Sequence, residues 1–165
     1  MRKTFTVQEL IKSNLAKKLG IENKPNTDQE KNLEDLIDIC LDPIRIFFPG
    51  AITVYSGFRS EKLNRALNKS NNSLHLLGLE CDIRPTSRRE EDFQRIMNLA
   101  KQLNFDTLIL KRKWTGVRWL SYISISYNPQ QCMRYVIENY IVNPDKVPKL
   151  HMNDFKTKSY VLPPF

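Results

Sequence analysis

Apolar positions along the chain alternate between helical and strand spacing. Thr6-Val7-Gln8-Glu9 forms a capping box, and Leu10, Ile11, Leu15 and Leu19 follow at helical intervals until Gly20. This predicts a first helix ended by a left-handed glycine. Leu33, Leu36, Ile37, Cys40 and Leu41 mark a second amphipathic helix over residues 28–48, with Pro43 expected to kink or restart it. Ile52-Thr53-Val54-Tyr55 reads as a short strand closed by Ser56-Gly57. A short helix over 61–67, a polar loop over 68–73 and a strand over 79–84 ended by Pro85 come next. Phe93, Ile96, Met97, Ala100 and Leu103 share one face of a helix predicted over 87–103. Strands are predicted over 107–110 and 117–127, joined by a turn at Thr115-Gly116. A last helix is expected over 131–141, followed by a stretch with Pro144, Pro148, Pro163 and Pro164 that reads as extended. The pattern predicts an α+β domain with a small, largely antiparallel sheet packed by helices over residues 1–142, then an extended C-terminal tail over 143–165.

Composition narrows the partners. The 165 residues suit one domain with a core of its own, and 26 basic against 18 acidic residues give a formal charge of +8. That charge favours an anionic partner: a cell-wall polymer, an anionic lipid surface or, as a lesser expectation, nucleic acid. Its basic residues are spread along the chain rather than gathered in one stripe. Cys40, Cys81 and Cys132 lie far apart with no CxxC, which reads as three thiols in a reducing compartment. Met1-Arg2-Lys3 is not followed by an apolar stretch, and no run approaches the roughly 20 apolar residues that span a bilayer. The expectation is a protein made in the cytoplasm without a signal peptide, and carried out in a virion or by lysis.

The chemistry gathers in Ser56-Gly57-Phe58-Arg59-Ser60 and in the segment from Ser73 through His75 and Gly78 to Asp82. His75 and Asp82 offer a nitrogen and an oxygen, both of which zinc accepts, and a catalytic zinc needs a third protein ligand and an open position. Strand alternation turns Cys81 to the face opposite Asp82.

Together with the opening Phe5-Thr6 and Glu9-Leu10, the Asn32-Leu33 helix, Leu41-Asp42-Pro43-Ile44-Arg45 and Phe105-Asp106, these segments resemble the zinc D-Ala-D-Ala carboxypeptidases. That family shares its fold with the Hedgehog signalling domain and includes phage endolysins. The resemblance runs from about Phe5 to about Asn128. It implies that His75 and Asp82 bind zinc, that Arg59 holds a substrate carboxylate or carbonyl, and that Ser73 lies near the substrate. A guanidinium fork matches a carboxylate. A zinc ion there polarises the peptide carbonyl and activates water, with a carboxylate as base.

The resemblance also implies a closing strand with a third-ligand histidine and an acidic base three residues before it. Ser124 stands at the ligand position and Ser121 at the base position. Thr107, Lys111 and Glu80 replace a Gln, a Glu and a small residue of the family pattern. A lysine near the site repels Zn²⁺, so zinc is expected to be weak or lost. His151 and Asp154 are the remaining candidates to complete the site, against a surface or packing role for His151. His75 without a metal reads as a partner of Asp82, and Arg59 as a tie to Asp82 or Glu80. Trp114, Trp119, Tyr122 and Tyr127 read as sheet packing. The leading expectation is a non-catalytic domain of this fold, serving as a virion component or a peptidoglycan-binding module. The alternative is an active zinc cell-wall peptidase with an unusual third ligand.

Overall fold

The structure, a computed structural model, describes residues 4–151 and 154–164. Thr6 accepts from the Glu9 N–H and Glu9 answers the Thr6 N–H, starting helix α1 (Val7–Ile11). The single first helix expected from the pattern is in fact two. Ser13 takes an extended conformation and accepts the Ala16 N–H, which ends one helix and caps the next, α2 (Asn14–Leu19). A serine hydroxyl offers the backbone this alternative to continuing a helix. Gly20, at φ 63°, stops α2 as expected.

Helix α3 (Thr27–Leu36) runs through a π-helical turn (Ile37–Leu41) into α4 (Asp42–Phe47). Pro43 has no N–H and its ring crowds the carbonyl four residues back. The wider turn just ahead of it carries the rod onward, with the Asp42 N–H reaching the Ile37 carbonyl. Leu33, Leu36, Ile37, Cys40, Leu41 and Ile44 are buried along it.

Six strands form one sheet: β1 (Ile52–Ser56), β2 (Glu80–Pro85), β3 (Thr107–Trp114), β4 (Trp119–Ser126), β5 (Tyr135–Val142) and β6 (Lys158–Val161). Their order is β1-β2-β4-β3-β5-β6, and every pair is antiparallel except β3 with β5. The sheet is thus largely antiparallel. Helix α5 (Glu61–Ala66) follows β1, and α6 (Glu90–Ala100) follows β2.

The helix expected over 131–141 is instead strand β5. Val136, Ile137, Tyr140, Ile141 and Val142 are β-branched or aromatic, and pairing along β3 satisfies their backbone, which outweighs the helical spacing. Arg134 secures the crossover from β4, donating to the carbonyls of Leu103 and Lys101 just past α6. Residues after Val142 make two 3₁₀ turns and return as β6, paired along β5.

Strand alternation gives the sheet two unlike faces. Cys81, Ile83, Leu108, Leu110, Ile123 and Ile125 are fully buried in the core formed with α3, α4 and α6. Glu80, Asp82, Lys111, Tyr122 and Ser124 occupy the other face. Among the described residues no helix is long and apolar enough to cross a membrane.

Candidate metal centre and ligand cleft

Two glycines bring the site's segments together. A Cβ on Gly57 would lie 2.0 Å from the Leu10 carbonyl oxygen, so only glycine lets the end of β1 pass α1 this closely. Gly78 has φ 72°, and a Cβ there would meet the Gln29 carbonyl at 2.6 Å. It closes a 3₁₀ turn (Leu74–Leu77) that carries His75. Gln29 and Asn32 of α3 donate to the Leu76 and Leu77 carbonyls and hold that turn down. Arg59 N–H donates to the His75 carbonyl at 3.1 Å, so the two segments are tied backbone to backbone.

His75 Nδ1 lies 2.8 Å from the Gly57 carbonyl oxygen, which can only accept, so Nδ1 carries a proton. This bond fixes the ring and turns Nε2 toward two carboxylates, Asp82 Oδ2 at 3.4 Å and Glu80 Oε2 at 3.8 Å. The ligand atoms of His75, Glu80 and Asp82 all lie within 4.8 Å of one another. One imidazole nitrogen and two carboxylate oxygens converging in this way are a donor set that zinc accepts. The backbone carbonyl on Nδ1 is the outer contact that metal-bound histidines commonly make. These residues therefore fit a divalent metal.

Glu80 is the donor that the motif did not supply. The signal was present: alternation that turns Cys81 into the core also sets Glu80 beside Asp82 on β2.

Cations already attend the carboxylates. Lys111 Nζ lies 3.3 Å from Glu80 Oε1 and 3.9 Å from Asp82 Oδ1. Arg59 lies 3.8 Å from Asp82 Oδ2 and donates twice to Ser56 Oγ, at 3.0 and 2.9 Å. Ser124, directly opposite Asp82 in the sheet, donates its hydroxyl to Asp82 Oδ1. Burial alone would raise the Asp82 pKa. The contact with His75, the charge of Lys111 and the Ser124 hydroxyl outweigh it and hold the carboxyl below its usual range.

The other expected residues separate. Ser121 lies three residues from Ser124, an odd number along a strand, and so faces the opposite side of the sheet. There it accepts from the buried Arg112 at 2.8 Å, so a base at that position could not face the centre. Ser73 borders a separate hollow with Glu61 and Leu76. His151 stacks on Trp114 at 4.4 Å and pairs with Asp154, which accepts from the Trp119 indole. Trp119 is five residues along β4 from Ser124, about 17 Å at the usual strand rise. His151 and Asp154 therefore belong to an aromatic cluster at the far end of the β3–β4 hairpin. The Tyr122 ring packs against Tyr55 at 4.8 Å, tilted by 32°, and walls a cleft of ≈ 730 Å³ that Arg59, Lys69, Asp82 and Lys113 also line.

The family model described as Peptidase M15 matches residues 3–117. The chain belongs to the peptidase M15 family. This is a zinc metallopeptidase family, and the mixed α+β architecture agrees with it. The M15 match includes Arg59, His75, Glu80, Asp82 and Lys111, and it ends before β4, the strand that carries Ser121 and Ser124. No curated protein matches the chain.

Proposed function

We propose that this M15 domain binds peptidoglycan peptides through its cleft without cleaving them. The observation that carries this reading is the state of the two carboxylates. Lys111 spans Glu80 and Asp82, and the Ser124 hydroxyl occupies Asp82 where the family pattern has a third zinc ligand. A metal held by His75, Glu80 and Asp82 would polarise a peptide carbonyl and acidify bound water. Proton removal from that water needs a base besides the ligands. Of the acidic residues lining the cleft, Asp82 is one of the donors and Glu9 is held by Arg45 at 3.3 Å.

Binding needs less. Arg59 is 7% exposed and fixed by Ser56, so its guanidinium is pre-oriented at the cleft wall. Lys69 and Lys113 make the rim positive. A peptide ending in a free carboxylate suits this arrangement. What favours a cell-wall ligand over a virion neighbour is that β6, near the C-terminus, pairs with β5 of its own sheet.

A second reading, an active zinc peptidase, draws support from the convergence of His75, Glu80 and Asp82. Calorimetry with a D-Ala-D-Ala-terminated muropeptide separates the two. The wild-type chain should bind without releasing D-Ala, and Arg59→Ala should weaken binding at least tenfold. Equal affinity in Arg59→Ala would remove the cleft from the account.

A further inference from the structure

We propose that Lys111 is a built-in counter-ion that competes with a divalent metal for the carboxylates of Glu80 and Asp82. The inference rests on taking His75, Glu80 and Asp82 as the donor set. With a neutral imidazole that set carries two negative charges, which a divalent ion would balance. Lys111 and Arg59 already bring two positive charges within 4 Å of these carboxylates, Lys111 on Glu80 Oε1 and Asp82 Oδ1 and Arg59 on Asp82 Oδ2. A metal entering beside both would face uncompensated repulsion at short range, in a pocket where Asp82 is 3% exposed and screening is weak.

The two cations differ in how far they can yield. Arg59 is pinned by two hydrogen bonds to Ser56 and by its backbone bond to the His75 carbonyl. Lys111 is an ammonium on a flexible stem, and among the described residues its hydrogen bond is to Glu80. The Tyr122 ring lies 5.8 Å from Nζ, an aromatic face onto which the ammonium can withdraw. Lys111 is therefore the group that a metal displaces, and its charge sets the affinity of the centre. In the metal-free protein it keeps Glu80 and Asp82 compensated, so the fold does not depend on metal.

The test is zinc titration of the chelator-stripped full chain by calorimetry, with thermal unfolding to verify each variant's fold. Lys111→Met should bind one zinc at least tenfold more tightly than wild type, and Lys111→Gln serves if the methionine variant folds poorly. Lys111→Arg, which keeps the charge, should bind no more tightly than wild type. Adding Glu80→Gln to Lys111→Met should abolish the gain. Unchanged affinity in both neutral variants overturns the proposal, as does a gain that survives Glu80→Gln. Muropeptide binding by the metal-free protein is a separate readout, so failure here leaves the binding function standing. Conversely, D-Ala release by the wild-type protein would overturn that function without touching the competition.

Discussion

Arg112 is 1% exposed, yet it is among the best-satisfied side chains of the fold. It grips both oxygens of Glu90 at 2.8 and 2.6 Å, donates twice to Asn139 Oδ1 and once to Ser121, and lies 4.2 Å over the Phe155 ring. It joins α6, β3, β4 and β5. Arg112→Ala would leave these acceptors unmet around a new void and should cost about 3 kcal/mol or more, read by urea unfolding. Arg112→Lys keeps the charge but cannot reproduce the planar fork, so it should recover only part of the loss. Residues of this kind are where a one-dimensional reading runs short. Lys111-Arg112-Lys113 looks like a solvated basic run, but the strand sends Arg112 into the core and Lys111 into the site. Glu80 as a third donor is hidden for a similar reason. The motif drew attention to His75 and Asp82, while the third donor came from simple alternation on the same strand.

Among elements, those with strong local signals matched expectation. The capping box of α1, the glycine stop of α2, the apolar stripe of α6 and strands β1 to β4 all follow from short-range chemistry. Strand β5 did not, because its identity depends on β3 lying beside it. Its attachment is partly ionic. Lys101 of the α6 C-terminus lies 2.7 Å from Glu138, which also accepts from the Tyr160 hydroxyl of β6 at 2.7 Å. The hydrogen bonds from Lys101 and Tyr160 lower the Glu138 pKa, against the smaller effect of its burial. A carboxyl with a folded pKa below its unfolded value adds stability above the unfolded pKa, about 4.3 for Glu. That stability is lost as pH falls through the folded value. Glu138→Gln should therefore be less stable than wild type at neutral pH, and the gap in urea midpoint should close below about pH 4. A gap that persists at low pH would show that packing rather than charge ties β5 and β6 to α6.

Over the whole molecule, the sheet separates stability from function. Its apolar face supports the core. Its polar face carries His75-linked carboxylates, two attendant cations and a cleft with a positive rim. The α+β class and the Arg59, His75 and Asp82 constellation were legible because glycines and paired polar residues leave local marks. The placement of Lys111 and Ser124 against the carboxylates was legible in the sequence only as departures from the family pattern, and its geometry needed the β2–β4–β3 register. The most direct test of the account is to supply zinc to the full chain with a D-Ala-D-Ala-terminated pentapeptide and measure free D-Ala. The account predicts that the peptide is bound and recovered intact, with no release above buffer. D-Ala release that disappears in His75→Ala would contradict it.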